Sequence, residues 1–100
     1  INAPIEEQSP KSPELAKVYF MGFSDKKSRE ISIQQHLMFL NEKYDVLSAI
    51  CEEAENVKIS EENKDILNYQ IVSALYGKEL IKFNIDWFES LFRKMRNGEI

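Results

Sequence analysis

The sequence predicts an all-α protein: a short helix followed by a long antiparallel two-helix, coiled-coil-like hairpin that dimerises through its last helix. Three observations predict it. Ile33, Leu37, Leu40, Tyr44, Leu47, Cys51 and Ala54 follow one another in steps that alternate four and three, the spacing that keeps one seam of a long helix against a partner helix. A second series, Leu67, Ile71, Ala74, Lys78, Ile81, Ile85, Phe88, Phe92 and Met95, repeats that alternation after a short polar break. The last segment also carries Val72, Leu75, Tyr76, Leu80, Phe83, Trp87 and Leu91 off its seam, and a helix apolar on two sides has to be buried on two sides.

Residues 1–12 read as a linker, because Pro4, Pro10 and the nearby Pro13 punctuate a polar stretch. Proline fixes the backbone and removes a donor, so no helix runs through this stretch. The helical domain is expected over residues 13–97. Ser12 caps its first helix with Pro13 at the first helical position. That helix carries Leu15, Val18, Tyr19 and Met21 and is expected to stop at Gly22, a residue suited to a left-handed C-terminal position.

Ser24 reads as the next cap, with Asp25 in the first turn where a negative charge is favoured. The long helix then runs from about Asp25 to about Asn56. Ile31, Met38, Val46 and Ile50 widen its apolar face. At 1.5 Å per residue, about 30 residues make a rod of about 45 Å, longer than a globular helix usually is. The break spans Asn56 to Glu62. Ser60 caps the last helix, Glu61 and Glu62 fill its first turn, and it ends before Gly98. Gly77 lies inside this helix at a cost of up to about 1 kcal/mol relative to alanine. The seam holds its phase across Gly77, so one continuous helix is expected. Lys78 is the polar residue on that seam.

One hundred residues make one domain, and a chain this short builds a thin core when it stands alone. The formal net charge is −4, without the basic face of a free-standing nucleic-acid binder. Lys26, Lys27 and Arg29 cluster at one helix start. Arg93, Lys94 and Arg96 cluster at the last helix end, where they complement the helix dipole. A single cysteine forms no internal disulfide and points to a reducing, cytoplasmic setting. No apolar run approaches the roughly 20 residues of a membrane span, and no signal peptide is visible. The first residue is Ile1 rather than Met, so a segment upstream is expected.

The residues that carry chemistry elsewhere do not form a recognisable catalytic or metal-binding motif in this sequence. His36 is the single histidine, and a metal centre takes several ligands. Cys51 sits on the apolar seam with no cation placed to activate it. Glu52, Glu53, Glu55, Glu61 and Glu62 lack the spacing and the turn glycine of a calcium loop and read as solvated helix ends. There is no glycine-rich phosphate loop and no nucleophile–base pair. The expectation is a non-enzyme with no cofactor and no metal.

Several motifs carry a resemblance. A proline-bearing linker leads to Leu-Ala-Lys-Val-Tyr-Phe-Met-Gly-Phe, Leu15 to Phe23. A long helix with Gln35, His36, Leu37 and a later Tyr44 follows. The last helix reads Leu75-Tyr76-Gly77 and, ten residues beyond the glycine, Trp87-Phe88-Glu89. This order resembles the C-terminal helical domain of PadR-family transcriptional regulators and their virulence-activator relatives. Phe88 stands where that family usually has leucine. The resemblance spans nearly the whole chain and implies a winged-helix, DNA-reading domain before Ile1. It implies C-terminal helices that build a homodimer and fix the spacing of two DNA-reading heads. Contact with DNA would then run only through the absent N-terminal domain. It also implies a flat site for a small aromatic effector at Phe83, Trp87, Phe88 and Phe92. The plainer reading of those four aromatics is packing.

The dimer interface is therefore expected at Leu75, Leu80, Phe83, Trp87, Phe88, Leu91 and Phe92. The intrachain seam is expected at Ile33, Leu37, Leu40, Tyr44, Leu47 and Cys51. The competing reading is a free-standing acidic helical interaction module, such as an immunity protein, a chaperone or an antirepressor.

Overall fold

The computed structural model describes residues 12–100. Except for Ser12, the expected linker lies outside the described residues. Helix α1 spans Pro13–Tyr19, a 3-10 turn spans Met21–Phe23, helix α2 spans Lys26–Glu55 and helix α3 spans Glu61–Arg96. Among the described residues the fold is all-α, with no strand. Among the described residues no helix is long and apolar enough to cross a membrane. The described residues divide into two compact units, 12–32 and 33–100.

In the first unit the Ser-Pro start does what its chemistry dictates. Ser12 Oγ accepts from the Leu15 amide at 3.0 Å, and Pro13 occupies the first helical position, where its missing N–H leaves nothing unsatisfied. The helix ends earlier than the glycine suggested. Phe20 is its C-terminal cap, with φ −94°, and Gly22 lies within the 3-10 turn without a positive φ. Two tight bonds close this turn: the Phe23 amide donates to the Phe20 carbonyl at 3.1 Å and the Ser24 amide to that of Met21 at 3.0 Å. These i→i+3 bonds tighten the chain without a left-handed residue.

The cap of α2 is Asp25 rather than Ser24. Asp25 Oδ1 accepts from the Ser28 amide at 2.8 Å, and Oδ2 from the Ser28 hydroxyl at 3.1 Å. The Ser28 backbone bond and then its side-chain bond hold the Asp25 carboxyl below the usual aspartate range, since both favour the charged form. Arg29 has a structural task here. Its Nε donates to the carbonyls of Met21 at 2.9 Å and Ser24 at 2.8 Å, tying the 3-10 turn to the start of α2. That engagement accounts for a cation near a helix N-terminus, where the dipole alone disfavours it.

The second unit is the helical hairpin. Three contacts fix α2 and α3 as antiparallel. The His36 ring meets Phe88 edge-on with centroids 4.6 Å apart, and Lys78 Nζ lies 5.3 Å from the centre of the Tyr44 ring. A methyl group built on Gly77 would stand 3.9 Å from Leu47 Cδ1. As the first partner advances along α2, the second retreats along α3. Ile33, Leu40 and Cys51 of α2 and Ile85, Phe88 and Leu91 of α3 are buried; Leu37, Tyr44, Leu47 and Ala54 are half-buried. The residues of the expected intrachain seam are thus covered in the hairpin.

Lys78 is accommodated on that seam with its charge over the Tyr44 ring. Helix α3 runs unbroken through Gly77. It stops in a left-handed turn at Gly98, φ +72°. There the Glu99 amide donates to the Lys94 carbonyl at 2.9 Å and the Gly98 amide to that of Met95 at 3.4 Å, which satisfies two of the last orphan carbonyls.

Candidate functional site

Trp87 and Phe88 are adjacent in sequence and divided in space. One residue of helix turns through about 100°, which carries Phe88 into the hairpin at 1% exposure and leaves Trp87 outside at 41%. Their rings meet edge to face at 5.2 Å. The same division runs through the expected dimer interface. Leu75, Leu80, Phe83 and Trp87 are exposed, with Phe83 at 62%. Phe88 and Leu91 are buried in the intrachain core, and Phe92 is half-buried beneath the Arg96 guanidinium, 5.6 Å from its ring centre. Phe88 and Leu91 therefore belong to the hairpin core and not to the outward face, because the helical phase carries them round toward α2.

What remains outside is a continuous stripe that the pooled off-seam residues conceal. Ile66, Tyr69, Tyr76, Leu80, Phe83 and Trp87 are all exposed. With Ser73 and Ser90 filling the gaps, the positions run from 66 to 90 in steps that alternate three and four without a miss. This is a second heptad seam on α3. At about 100° per residue it lies roughly opposite the seam that faces α2. Ile66, Tyr69 and Ser73 were not singled out from the sequence; the strict alternation was the signal available.

No charged residue falls on this stripe between Ile66 and Ser90. Charge lies along its flanks, where Lys82 Nζ donates to Asp86 Oδ1 at 3.0 Å. The bond and the charge of Asp86 raise the Lys82 ammonium above its usual value. Both groups are open to water, so the pair contributes solubility more than stability. The stripe spans 24 residue steps, about 36 Å of helix at 1.5 Å each. An uncharged, aromatic-rich band of that length is a candidate interaction surface, since monomeric proteins rarely leave large contiguous apolar patches in water.

The four aromatics proposed for an effector do not converge. Phe83 and Trp87 face out, Phe88 faces in, and Phe92 lies to one side. One open recess of about 270 Å³ is lined by Tyr44, Leu75, Lys78, Glu79 and Lys82. A larger one of about 480 Å³ lies where the helices meet their connection, between Ala54, Val57, Ile59, Leu67 and Ile71. Neither recess is lined by any of the four aromatics. Among the described residues no group of three or more His, Cys, Asp and Glu side chains stands close enough together to hold a metal ion. Cys51 is a buried free thiol.

On the second helix, Met38, Phe39, Val46 and Ile50 are exposed as well. They do not form an alternating seam, and Lys43 places its ammonium 5.1 Å over the Phe39 ring. The outer stripe of α3 is the more ordered of the two surfaces.

No protein-family profile matches the chain, and neither a curated protein nor a solved structure matches it.

Proposed function

We propose that this chain is a homodimerisation module built on helix α3, and that it serves as the dimerisation and effector-coupling domain of a PadR-like transcriptional regulator. The observation that carries the first part is the uncharged heptad stripe from Ile66 to Ser90, whose apolar members all stand in solvent. Tyr69 at 75% exposure and Phe83 at 62% are side chains whose rings gain most from a second surface. The second part rests on the motif order from Leu15 to Trp87. In that reading DNA is contacted by a winged-helix domain outside these 100 residues, and the dimer sets the separation of two such heads on a two-fold operator. An effector acts by binding one packing of the dimer more tightly than another.

The acidic balance, net −4, favours a second reading, in which the same face receives a different protein and the chain is a free-standing interaction module. Two experiments separate the readings. Sedimentation equilibrium of the chain alone is expected to return twice the chain mass; a monomer at all concentrations favours the second reading. A gel shift with the chain alone is expected to show no DNA binding at physiological salt. The chain fused to a DNA-reading head is expected to bind paired half-sites at a fixed spacing. Binding indifferent to half-site spacing would overturn the regulatory reading.

A further inference from the structure

The outer stripe of α3 also specifies how two copies meet. Resting on the reading that this stripe receives a second copy, we propose that two α3 helices pair antiparallel about a two-fold axis at Lys78. The pair forms four kinds of layer: Tyr76 on Leu80, Ser73 on Phe83, Tyr69 on Trp87 and Ile66 on Ser90.

Three features of the sequence select this arrangement. The first is reach. An axis at position 78 brings all eight stripe positions of one copy onto the eight of the other. Sliding the helices by one heptad in one direction sets Trp87 against Glu62. Sliding them the other way sets Tyr69 against Lys94. Either slip places a charge in an apolar seam, where burial without a partner is disfavoured.

The second feature is volume. In the antiparallel register the two serines of the stripe each face a large side chain, Ser73 on Phe83 and Ser90 on Ile66. A parallel, in-register pair would instead stack Ser73 on Ser73 and Trp87 on Trp87, a void in one layer and crowding in another. The third feature is charge. Residues flanking an antiparallel seam pair with their equivalents across the axis. Here Asp65 of one copy comes beside Arg93 of the other, twice by symmetry, while Gln70 comes beside Asn84. The like-charge pair in the register is Glu79 with its own copy on the axis.

The stripe itself supplies most of the area an interface needs. Large side chains that bury about 150–250 Å² each when fully covered, here roughly half exposed, offer on the order of 600 Å² per copy. A stable interface needs about 800 Å² per partner, and the flanking residues supply the rest.

The test uses the full chain with Cys51→Ala and single nitroxide labels at Asp65→Cys or Glu79→Cys, both exposed positions. Double electron–electron resonance and continuous-wave line broadening then read the distance between copies. The proposed register predicts about 40 Å between labels at 65 and about 10–15 Å between labels at 79, from a rise of 1.5 Å per residue and helices 8–10 Å apart. Labels close together at both positions signify a parallel pair. Labels far apart at both signify another register or face. Either result overturns this register while leaving the homodimer intact. A monomer by sedimentation overturns the homodimer itself. If Cys51→Ala does not fold, the native Cys51 stays in place, its burial at 5% exposure shielding it, with the labelled parent chain as control. As a second readout, Glu79→Gln is expected to tighten the dimer by a few-fold; no change, or a weakening, contradicts the axis at 78.

Discussion

Helix α3 carries two heptad seams on opposite sides, and the hairpin treats them in opposite ways. On the inner seam Phe88 is 1% exposed and Ile85 4%; on the outer seam every apolar member from Ile66 to Trp87 is exposed. The residue types do not explain the difference, since phenylalanine, leucine and isoleucine occur on both. Topology explains it. A two-helix hairpin offers each helix one neighbour, and one neighbour covers one seam. Helix α2 has a single ordered seam and its partner satisfies it. Helix α3 has two, and the hairpin leaves the outer one uncovered. The inner seam builds the fold, and the outer seam is the one proposed to receive a second copy.

Substitutions that strike one seam and spare the other sharpen this contrast. The largest effect is expected from Phe88→Ala, which empties a position only 1% exposed and should lower hairpin stability by about 3–5 kcal/mol, read by urea denaturation. Dimerisation should fail with it only because the fold fails. Next comes Trp87→Ala, one residue and about 100° away. The dimer should weaken by about 3 kcal/mol, on the order of 100-fold, by sedimentation. Under dilute, monomeric conditions its urea midpoint should scarcely move. Equal loss of stability in the two variants would erase the distinction between the seams.

Gly77→Ala should raise stability by about 0.5–1 kcal/mol. The added methyl meets Leu47 Cδ1 at 3.9 Å, an ordinary contact; a lowered melting temperature would mean that the helices approach more closely there. The smallest effect concerns Asp25, the cap of α2. Its folded carboxyl holds a proton less tightly than the unfolded one. Its stabilising contribution is therefore complete above the ordinary aspartate range and is lost as pH falls through the lower folded value. Amide exchange in the first turn of α2 should quicken in that acid window, and Asp25→Ala should remove the pH dependence.

Much of the fold is legible in the chain because its signals are local. Ser12-Pro13 and Gly98 act through their own backbone geometry, and both seams act through a period that the helix imposes. The errors fall where two neighbouring residues compete. Ser24 and Asp25 are both good caps, and Asp25 wins because its two oxygens reach both the amide and the hydroxyl of Ser28. Gly22 invites a left-handed stop, but the chain tightens at Phe20 into a 3-10 turn held by Arg29, a contact eight residues apart that no local pattern announces. At the candidate site the sequence showed that α3 was apolar on two sides. It did not separate the sides, because Trp87 and Phe88 read as one aromatic pair until the helical phase sends one in and one out. Ile66, Tyr69, Ser73 and Ser90 stand outside the sequence expectation because the two serines interrupt the stripe's hydrophobicity without interrupting its spacing.

The outer seam of α3 is proposed to be closed by a second copy of this chain. Sedimentation equilibrium of the unmodified chain, with Phe83→Asp beside it, tests that directly. A species of twice the chain mass is expected for the parent and a folded monomer, with unchanged helical circular dichroism, for the variant. A parent chain that stays monomeric at millimolar concentration, or a variant that dimerises as the parent does, would contradict it.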